Sequence, residues 1–187
     1  MNVRISSFSP LIWEDSKVLI LGSVPGVKSL EMQEYYANPQ NKFWRILFDL
    51  FQEDFSTDYS EKLKFLEKNH LALWDVIDSC ERNGSLDSKI INEESNDIQK
   101  LLTDFPNIKT IFCNGQKSFK NLQKILNKDH KIPRFALPST SPAYTISYEN
   151  KLKEWSVLKS QLRLNFTIFF LSQFQRLQTV RFIISIF

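Results

Sequence analysis

The sequence is poor in cysteine and histidine, and this scarcity excludes several kinds of site. Its two cysteines, Cys80 and Cys113, lie far apart and form no C-x-x-C pair. The sequence therefore predicts neither a disulfide framework nor a zinc or iron–sulfur site. The two histidines, His70 and His130, have no companion serine, cysteine or metal-binding spacing. We expect no metal, no cofactor and a reduced, cytoplasmic protein with both cysteines in its core.

A strong charge and long apolar runs are also absent. The formal net charge is only +3 over 187 residues, which permits a nucleic-acid partner without indicating one. The first residues lack the basic and apolar pattern of a signal peptide. The apolar segments 165–174 and 180–187 are shorter than the ~20 residues of a membrane span. We expect no membrane span, one folded domain over residues 1–164, and an atypical apolar tail over residues 165–187.

The sequence leaves three interpretations of this tail open: an added element, a partner surface, or an aberrant end of the reading frame. The rest of the chain alternates short apolar runs with segments of helical periodicity, the pattern of an α/β fold. The predicted strands are Val18 to Leu21, Leu71 to Val76, Ile108 to Cys113 and Phe135 to Leu137. Helical periodicity marks the segments starting at Phe43, Tyr59, Ile98, Gly115 and Glu149.

The first predicted strand ends in a tight loop, Gly22-Ser-Val-Pro-Gly26, and a polar and aromatic segment follows it over residues 35–44. Loops at the carboxyl ends of parallel strands are where open α/β sheets bind ligands. No Gly-Lys-Ser or Gly-Lys-Thr follows the loop, which argues against a nucleotide-hydrolysing phosphate loop. This loop is the first candidate for a binding site.

Several blocks in order along about residues 17 to 158 carry a resemblance to a known family. The blocks are Gly22-Ser-Val-Pro-Gly26, Tyr35-Tyr-Ala-Asn-Pro-Gln-Asn-Lys-Phe-Trp44, Leu73-Trp-Asp-Val76, Gly84-Ser-Leu-Asp87, Asn114-Gly115 and Leu137-Pro-Ser-Thr-Ser-Pro-Ala143. Together they resemble the uracil-DNA glycosylase superfamily, and within it the DNA-deoxyinosine (hypoxanthine-DNA) glycosylase branch. Any single block would be a weak signal, whereas the ordered set is specific.

The resemblance implies a three-layer α/β/α sandwich around a four-stranded, mostly parallel sheet, in agreement with the four predicted strands. It implies damaged DNA as the partner and a metal-independent, monofunctional glycosylase that removes deaminated bases, hypoxanthine first among them. Two alternatives stay open. The chain could act on uracil or on mismatches, or it could be a catalytically inactive nucleic-acid-binding member. We expect a monomer.

Carried over by resemblance, Asn41 is the expected catalytic residue, with its side-chain carbonyl orienting the attacking water. An amide is a weak base, so its contribution would be positioning more than proton abstraction. Related mismatch-specific enzymes hold this water with an Asn in the first block, where this chain has Ser23. We therefore assign Ser23 to the catalytic group as well. The competing interpretation of Asn41 is a cap on the helix that Phe43 opens.

Four residues form the expected base-binding group. Tyr36 occupies the position of an aromatic ring against the flipped base, where stacking is worth roughly 1 to 3 kcal/mol. Asn114 offers a donor and an acceptor to a base edge. Asp75 ends the second strand, where it could reach the base or only shape the loop, and Gly22 belongs to the first loop.

The expected DNA-binding group covers two loops. Ser139, Thr140 and Ser141 lie where the superfamily carries its DNA-penetrating loop and can donate hydrogen bonds to phosphates. The usual bulky wedge is missing there, and Tyr144 is the candidate to fill the gap in the base stack. Ser85, with Asp87 in the same block, is open to phosphate contact or loop bracing. Six basic side chains are candidates for a phosphate-tracking rim: Lys42, Arg45, Arg82, Lys117, Lys120 and Lys151.

Overall fold

The computed structural model describes residues 3–127 and 129–164 of the chain. Along this part, the elements follow in the order β1 (Val3–Ser6), β2 (Val18–Gly22), α1 (Val27–Met32), α2 (Phe43–Phe51), α3 (Tyr59–Lys68), β3 (Leu71–Asp75), β4 (Ile77–Arg82), β5 (Ile91–Ser95), α4 (Ile98–Asp104), β6 (Thr110–Asn114), α5 (Gln116–Ile125), β7 (Arg134–Leu137) and α6 (148–164). A short 3₁₀ turn, Asp87–Lys89, precedes β5.

A four-stranded parallel sheet in the order β3-β2-β6-β7 forms the centre of the fold. Its middle strand β2 is buried along its whole length, which explains why its sequence is a continuous apolar run without alternation. The predicted four-stranded sheet and the α/β class are confirmed, and all four strands are parallel.

Two hydrophobic cores cover the two faces of this sheet. Val18 and Ile20 of β2 point into one core, which α2, α3 and α6 cover with residues such as Phe43, Phe65 and Trp155. Alternate β2 residues, Leu19 and Leu21, point into the other core, which α4 and α5 cover with residues such as Leu101 and Leu122. The three layers of an α/β/α sandwich follow from this alternation. Cys80 and Cys113 lie buried in the second core as free thiols.

A second, antiparallel sheet in the order β1-β4-β5 packs beside the second core. The sequence does not predict it. Only Val76 separates β3 from β4. The Val76 and Ile77 amides donate to the Gly22 and Ser23 carbonyls, so the hydrogen bonding beside the end of β2 continues to the start of β4. The chain therefore turns away from the parallel sheet next to the end of β2, and the loop after β4 returns beside the first loop.

The predicted tail over residues 165–187 lies outside the described residues. Within the described ranges, no helix combines the length and the apolar character that crossing a bilayer requires. The family resemblance and the described fold both extend into α6. Trp155, Leu158 and Leu162 of this helix are buried in the first core.

We predict that Trp155→Phe destabilises the fold by about 1 to 3 kcal/mol. The Trp155 indole N–H donates to the Pro138 carbonyl at 2.9 Å, and the side chain is fully buried. Phenylalanine keeps most of the apolar contact but leaves that carbonyl without its donor. Urea unfolding followed by circular dichroism measures the loss, and the exposed Ser156→Ala is the neighbouring control. An unfolding free energy equal to that of the wild type would contradict the prediction.

Candidate functional site

The carboxyl ends of β2, β3, β6 and β7 meet at one edge of the sheet, and a cleft with a volume of ≈ 390 Å³ opens there. This volume lies in the range of small-molecule sites. Apart from the six candidates for the basic rim, all the residues that the sequence assigns to catalysis, base binding or DNA binding line it: Gly22, Ser23, Tyr36, Asn41, Asp75, Ser85, Asn114, Ser139, Thr140, Ser141 and Tyr144. The structure thus brings all six separate sequence blocks to one place, and the role of each residue stays a prediction.

Gly22 allows the closest approach in the cleft. A Cβ at this position would overlap Asp75 Oδ1 and would lie 3.0 Å from the Tyr36 hydroxyl. Residue 22 must be a glycine, because the Asp75 carboxylate occupies the volume that the Cβ of any other residue would fill. The absence of a side chain at the end of β2 therefore leaves room for Asp75 and Tyr36 at the back of the cleft.

Asp75 is a buried carboxyl group whose pKa is raised. Burial is the main cause, the nearby Asp87 charge adds to it, and the Ser7 hydrogen bond and the Arg82 charge oppose it, so that the pKa of Asp75 rises to about 7. The Ser7 hydroxyl donates to Asp75 Oδ2 at 3.1 Å. Near neutral pH this group therefore changes between an acceptor and a donor of hydrogen bonds. Ser7 lies upstream of every recognised block, and no sequence signal identifies it.

Tyr36 is held rigidly from two sides. Its ring stacks on Phe43 with centroids 3.8 Å apart and an interplanar angle of 16°, and its hydroxyl accepts a hydrogen bond of 2.9 Å from Asn114 Nδ2. Burial and the Asp75 charge both raise the pKa of Tyr36, so its hydroxyl is neutral. Its backbone has a φ of 54°, a conformation that non-glycine residues rarely adopt and that is frequent at functional sites.

Both polar atoms of the Asn114 side chain form hydrogen bonds within the protein. Besides Tyr36, its Nδ2 donates to Thr140 Oγ1 at 2.8 Å, and its Oδ1 accepts from the Thr140 amide at 2.9 Å. Thr140 is itself fully buried. Two hydrogen bonds therefore fasten the end of β6 to the loop after β7, and the third positions the Tyr36 hydroxyl.

Asn41 lines the cleft and lies two residues before the start of α2. Its Oδ1 accepts a hydrogen bond of 3.0 Å from the Phe43 amide at the start of α2, so Asn41 caps this helix from one position before its N-cap residue, Lys42. A carbonyl oxygen has two lone pairs, so this contact leaves one for a second donor. The cap and the water-holding role are therefore compatible, and the cap orients the amide. The adjacent Lys42 amide donates to the Thr140 carbonyl at 3.1 Å.

Two loops meet at Ser23 and Ser85. The Ser23 hydroxyl donates to Asp87 Oδ1 at 2.7 Å, and Ser85 Oγ accepts from the Val27 amide at 3.0 Å. Both contacts brace the first loop against the loop after β4, one of the two possibilities for this block. Asp87, which the sequence analysis leaves open to phosphate contact or loop bracing together with Ser85, also lines the cleft. The Gly84-Ser-Leu-Asp87 block contained the signal for it.

The loop after β7 is braced internally and carries one exposed aromatic ring. Ser139 and Ser141 each accept a hydrogen bond of 3.2 Å from a backbone amide two residues further on. The Tyr144 side chain is exposed, 46% by surface area, at the rim of the cleft. The buried Lys151 ammonium donates to the Ser141 carbonyl at 3.1 Å and lies 5.6 Å from the centre of the Tyr144 ring. Lys151 therefore supports this loop from beneath.

The predicted basic rim needs correction. Arg82 and Lys151 are buried, each with 3% of its surface exposed, and Arg82 donates to the Pro25 carbonyl beneath the first loop. Lys117 forms an ion pair with Glu93 at 2.5 Å. The charged groups of Arg82, Lys117 and Lys151 bond acceptors within the protein. The side chains of Lys42, Arg45 and Lys120 remain exposed. Across residues 3–127 and 129–164, no three His, Cys, Asp or Glu side chains are grouped to hold a metal ion.

Comparisons with known proteins place the chain among DNA glycosylases. The family profile described as the uracil DNA glycosylase superfamily matches residues 10–164. A protein from Methanosarcina barkeri (strain Fusaro / DSM 804), described as a hypoxanthine DNA glycosylase, is 36% identical over 157 residues, which cover 82% of this chain and 97% of the relative. A relative of the same description from Methanosarcina acetivorans is 36% identical over 154 residues, with 81% and 95% covered.

A solved structure agrees with these relatives. The solution NMR structure of a candidate uracil DNA glycosylase from Methanosarcina acetivorans superposes with a TM-score of 0.76 at 34% identity. The alignment covers 86% of this chain and 99% of that one. The likeness therefore extends over nearly the whole of the related chain.

We predict that Asp75→Asn becomes progressively more stable relative to the wild type as the pH rises from about 4 to about 7. The native state keeps the Asp75 proton up to a pKa of about 7, whereas the unfolded chain loses it near pH 4. The stabilisation tied to this proton is complete below the unfolded pKa and is lost as the pH rises through the folded one. The slope of the difference is at most about 1.4 kcal/mol per pH unit.

Urea unfolding of the two proteins at a series of pH values measures this difference. Asp54→Asn, which removes an exposed carboxylate in the loop after α2, controls for the loss of one negative charge. A constant difference between Asp75→Asn and the wild type across this pH range would contradict the raised pKa.

Proposed function

Because this chain belongs to the uracil-DNA glycosylase superfamily, we propose that it hydrolyses the N-glycosidic bond of deaminated bases in DNA, with hypoxanthine in deoxyinosine as its main substrate. The observation that carries this proposal is the cleft itself, where all the blocks shared with the family converge. The relatives described as hypoxanthine DNA glycosylases support the choice of base.

The cleft meets the requirements of this reaction. A glycosylase must take the nucleotide out of the stack, hold its base and present a water to C1′ as positive charge develops on the sugar. Tyr36, backed by Phe43, offers a rigid aromatic surface at the base site. Asp75 at the back of the cleft can accept from the N1–H of hypoxanthine or donate to its O6, according to its protonation state.

Asn41 orients the attacking water in this mechanism. Its Oδ1 is already fixed by the Phe43 amide, so the remaining lone pair has a defined direction. Positioning of this kind lowers the barrier because the water and C1′ no longer need to find each other in solution. Tyr144, exposed at the rim, fills the gap left by the extruded nucleotide, and the loop of Ser139 and Ser141 approaches the DNA backbone.

A panel of DNA duplexes tests the choice of substrate. Each duplex carries one hypoxanthine, uracil or xanthine, and alkaline cleavage of the abasic product reports excision. We expect the fastest single-turnover excision on hypoxanthine. Faster excision of uracil would favour the uracil-directed alternative. Binding to the damaged duplexes without release of any base would favour the inactive alternative, which the serine at position 23 keeps open.

We predict that Asn41→Ala slows single-turnover excision of hypoxanthine by about 100-fold or more, because the positioned water is lost. The variant also loses a helix cap, which costs about 0.5 to 2 kcal/mol of stability. Asn107→Ala is the matched control, since the exposed Asn107 also bonds a backbone group, the Glu14 carbonyl. An Asn41→Ala variant that is folded and retains the wild-type excision rate would move the role elsewhere.

We further propose that residues 1–164 form the complete catalytic domain and that residues 165–187 are dispensable. The family profile ends at residue 164, and every residue that lines the cleft lies upstream of α6. A chain ending at residue 164 should retain its thermal midpoint and its excision rate. A chain ending at residue 154 should unfold, because it lacks the buried Trp155, Leu158 and Leu162. Loss of folding in the chain that ends at residue 164 would contradict this domain boundary.

A further inference from the structure

The cleft contains two carboxylates in very different surroundings. Among the residues that line it, only Asp75 and Asp87 are acidic. Asp75 is 3% exposed at the end of β3, whereas Asp87 is exposed at the start of the 3₁₀ turn after β4. Two carboxyl groups in unlike environments are a common way to divide acid and base duties in one site.

Hydrolysis of a glycosidic bond needs a group that accepts a proton from the attacking water, and a side-chain amide cannot serve as this acceptor. The attacking water gives its oxygen to C1′ and must release one proton. Asn41 can orient this water but cannot take up the proton, because a neutral amide is not basic near pH 7. The charged form of Asp75 is disfavoured by burial, and its Oδ2 is engaged by Ser7. Asp87 is the remaining carboxylate of the cleft.

Ser23 holds Asp87 in place. The Ser23 hydroxyl donates to Asp87 Oδ1 at 2.7 Å, the usual length for a hydroxyl donor. Asp87 Oδ1 is thereby bonded to the loop that follows β2. Asp87 Oδ2 has no hydrogen-bond partner within residues 3–127 and 129–164. Ser23 lies in the first block, which contains no amide side chain, and its hydroxyl brings a carboxylate from another loop to this block.

We propose that Asp87 is a second catalytic residue, which accepts the proton of the attacking water, and that Ser23 is the positioning residue of its carboxylate. This inference rests on the proposed glycosylase function. In the step, the water oxygen bonds to C1′ while the bond from C1′ to the base nitrogen breaks and its electron pair leaves with the base. The water proton passes to Asp87 Oδ2 and then to the departing base, so that the products are an abasic sugar and the neutral base. The negative charge of Asp87 also stabilises the positive sugar in the transition state.

The test compares variants of the full chain on a duplex that contains deoxyinosine. Asp87→Asn keeps an oxygen that can accept from Ser23 but cannot take a proton, and we expect single-turnover excision to fall by about 100-fold or more. Affinity for a duplex with 2′-fluoro-2′-deoxyinosine, whose glycosidic bond resists cleavage, should stay at the wild-type value. Formate, a small carboxylate, should restore part of the rate of Asp87→Ala. Asp54→Asn is the control for loss of one exposed carboxylate.

Ser23→Ala separates positioning from structure. It leaves the carboxylate present but unguided, so we expect a smaller loss of rate than in Asp87→Asn and no restoration by formate. Asp87→Asn with a rate near the wild type, or with a loss of affinity as large as its loss of rate, would overturn the proposal for Asp87. Absence of excision by the wild-type chain on every damaged duplex would instead overturn the proposed function, and the proposal for Asp87 with it.

Discussion

The close approach of the Asp75 carboxylate to the backbone of Gly22 is the constraint on which the cleft depends. A side chain at position 22 would overlap that carboxylate, so the ends of β2 and β3 can meet only because residue 22 is a glycine. Tyr36 then fits against the same space, and Asn114 bonds both Tyr36 and Thr140. One missing side chain thus lets residues from three strand ends and two loops close around one ligand-sized volume.

The electrostatics of the cleft follow from the depth of its groups. Asp75 lies at the back, where loss of hydration raises its pKa to about 7, while Asp87 lies at the exposed front. Asn41, Ser23 and Ser85 each use a side-chain oxygen to fix a backbone amide or a carboxylate. The polar groups are therefore largely oriented before any substrate arrives, and a site with fixed dipoles loses little free energy to reorganisation during the reaction.

Much of this arrangement could be predicted from the sequence, and the reasons are local. Continuous apolar runs such as β2 and helical periodicity such as that of α3 are determined by nearby residues. The antiparallel sheet escaped prediction because β1 and β5 are short and mostly exposed, so they carry little apolar signal. The recognised blocks located the cleft residues, but their contacts depend on tertiary neighbours. The pairing of Ser23 with Asp87, 64 positions apart, and the burial of Arg82 beneath the first loop belong to this class.

We propose that water, positioned in this cleft, hydrolyses the bond between hypoxanthine and its sugar. Mass spectrometry of both products from one deoxyinosine duplex tests it most directly. We expect the wild type to form equimolar amounts of free hypoxanthine and of an uncut strand with one abasic sugar, and Asn41→Ala to form almost none of either. Cleavage of the strand by the protein itself, or equal yields of free hypoxanthine from both proteins, would contradict it.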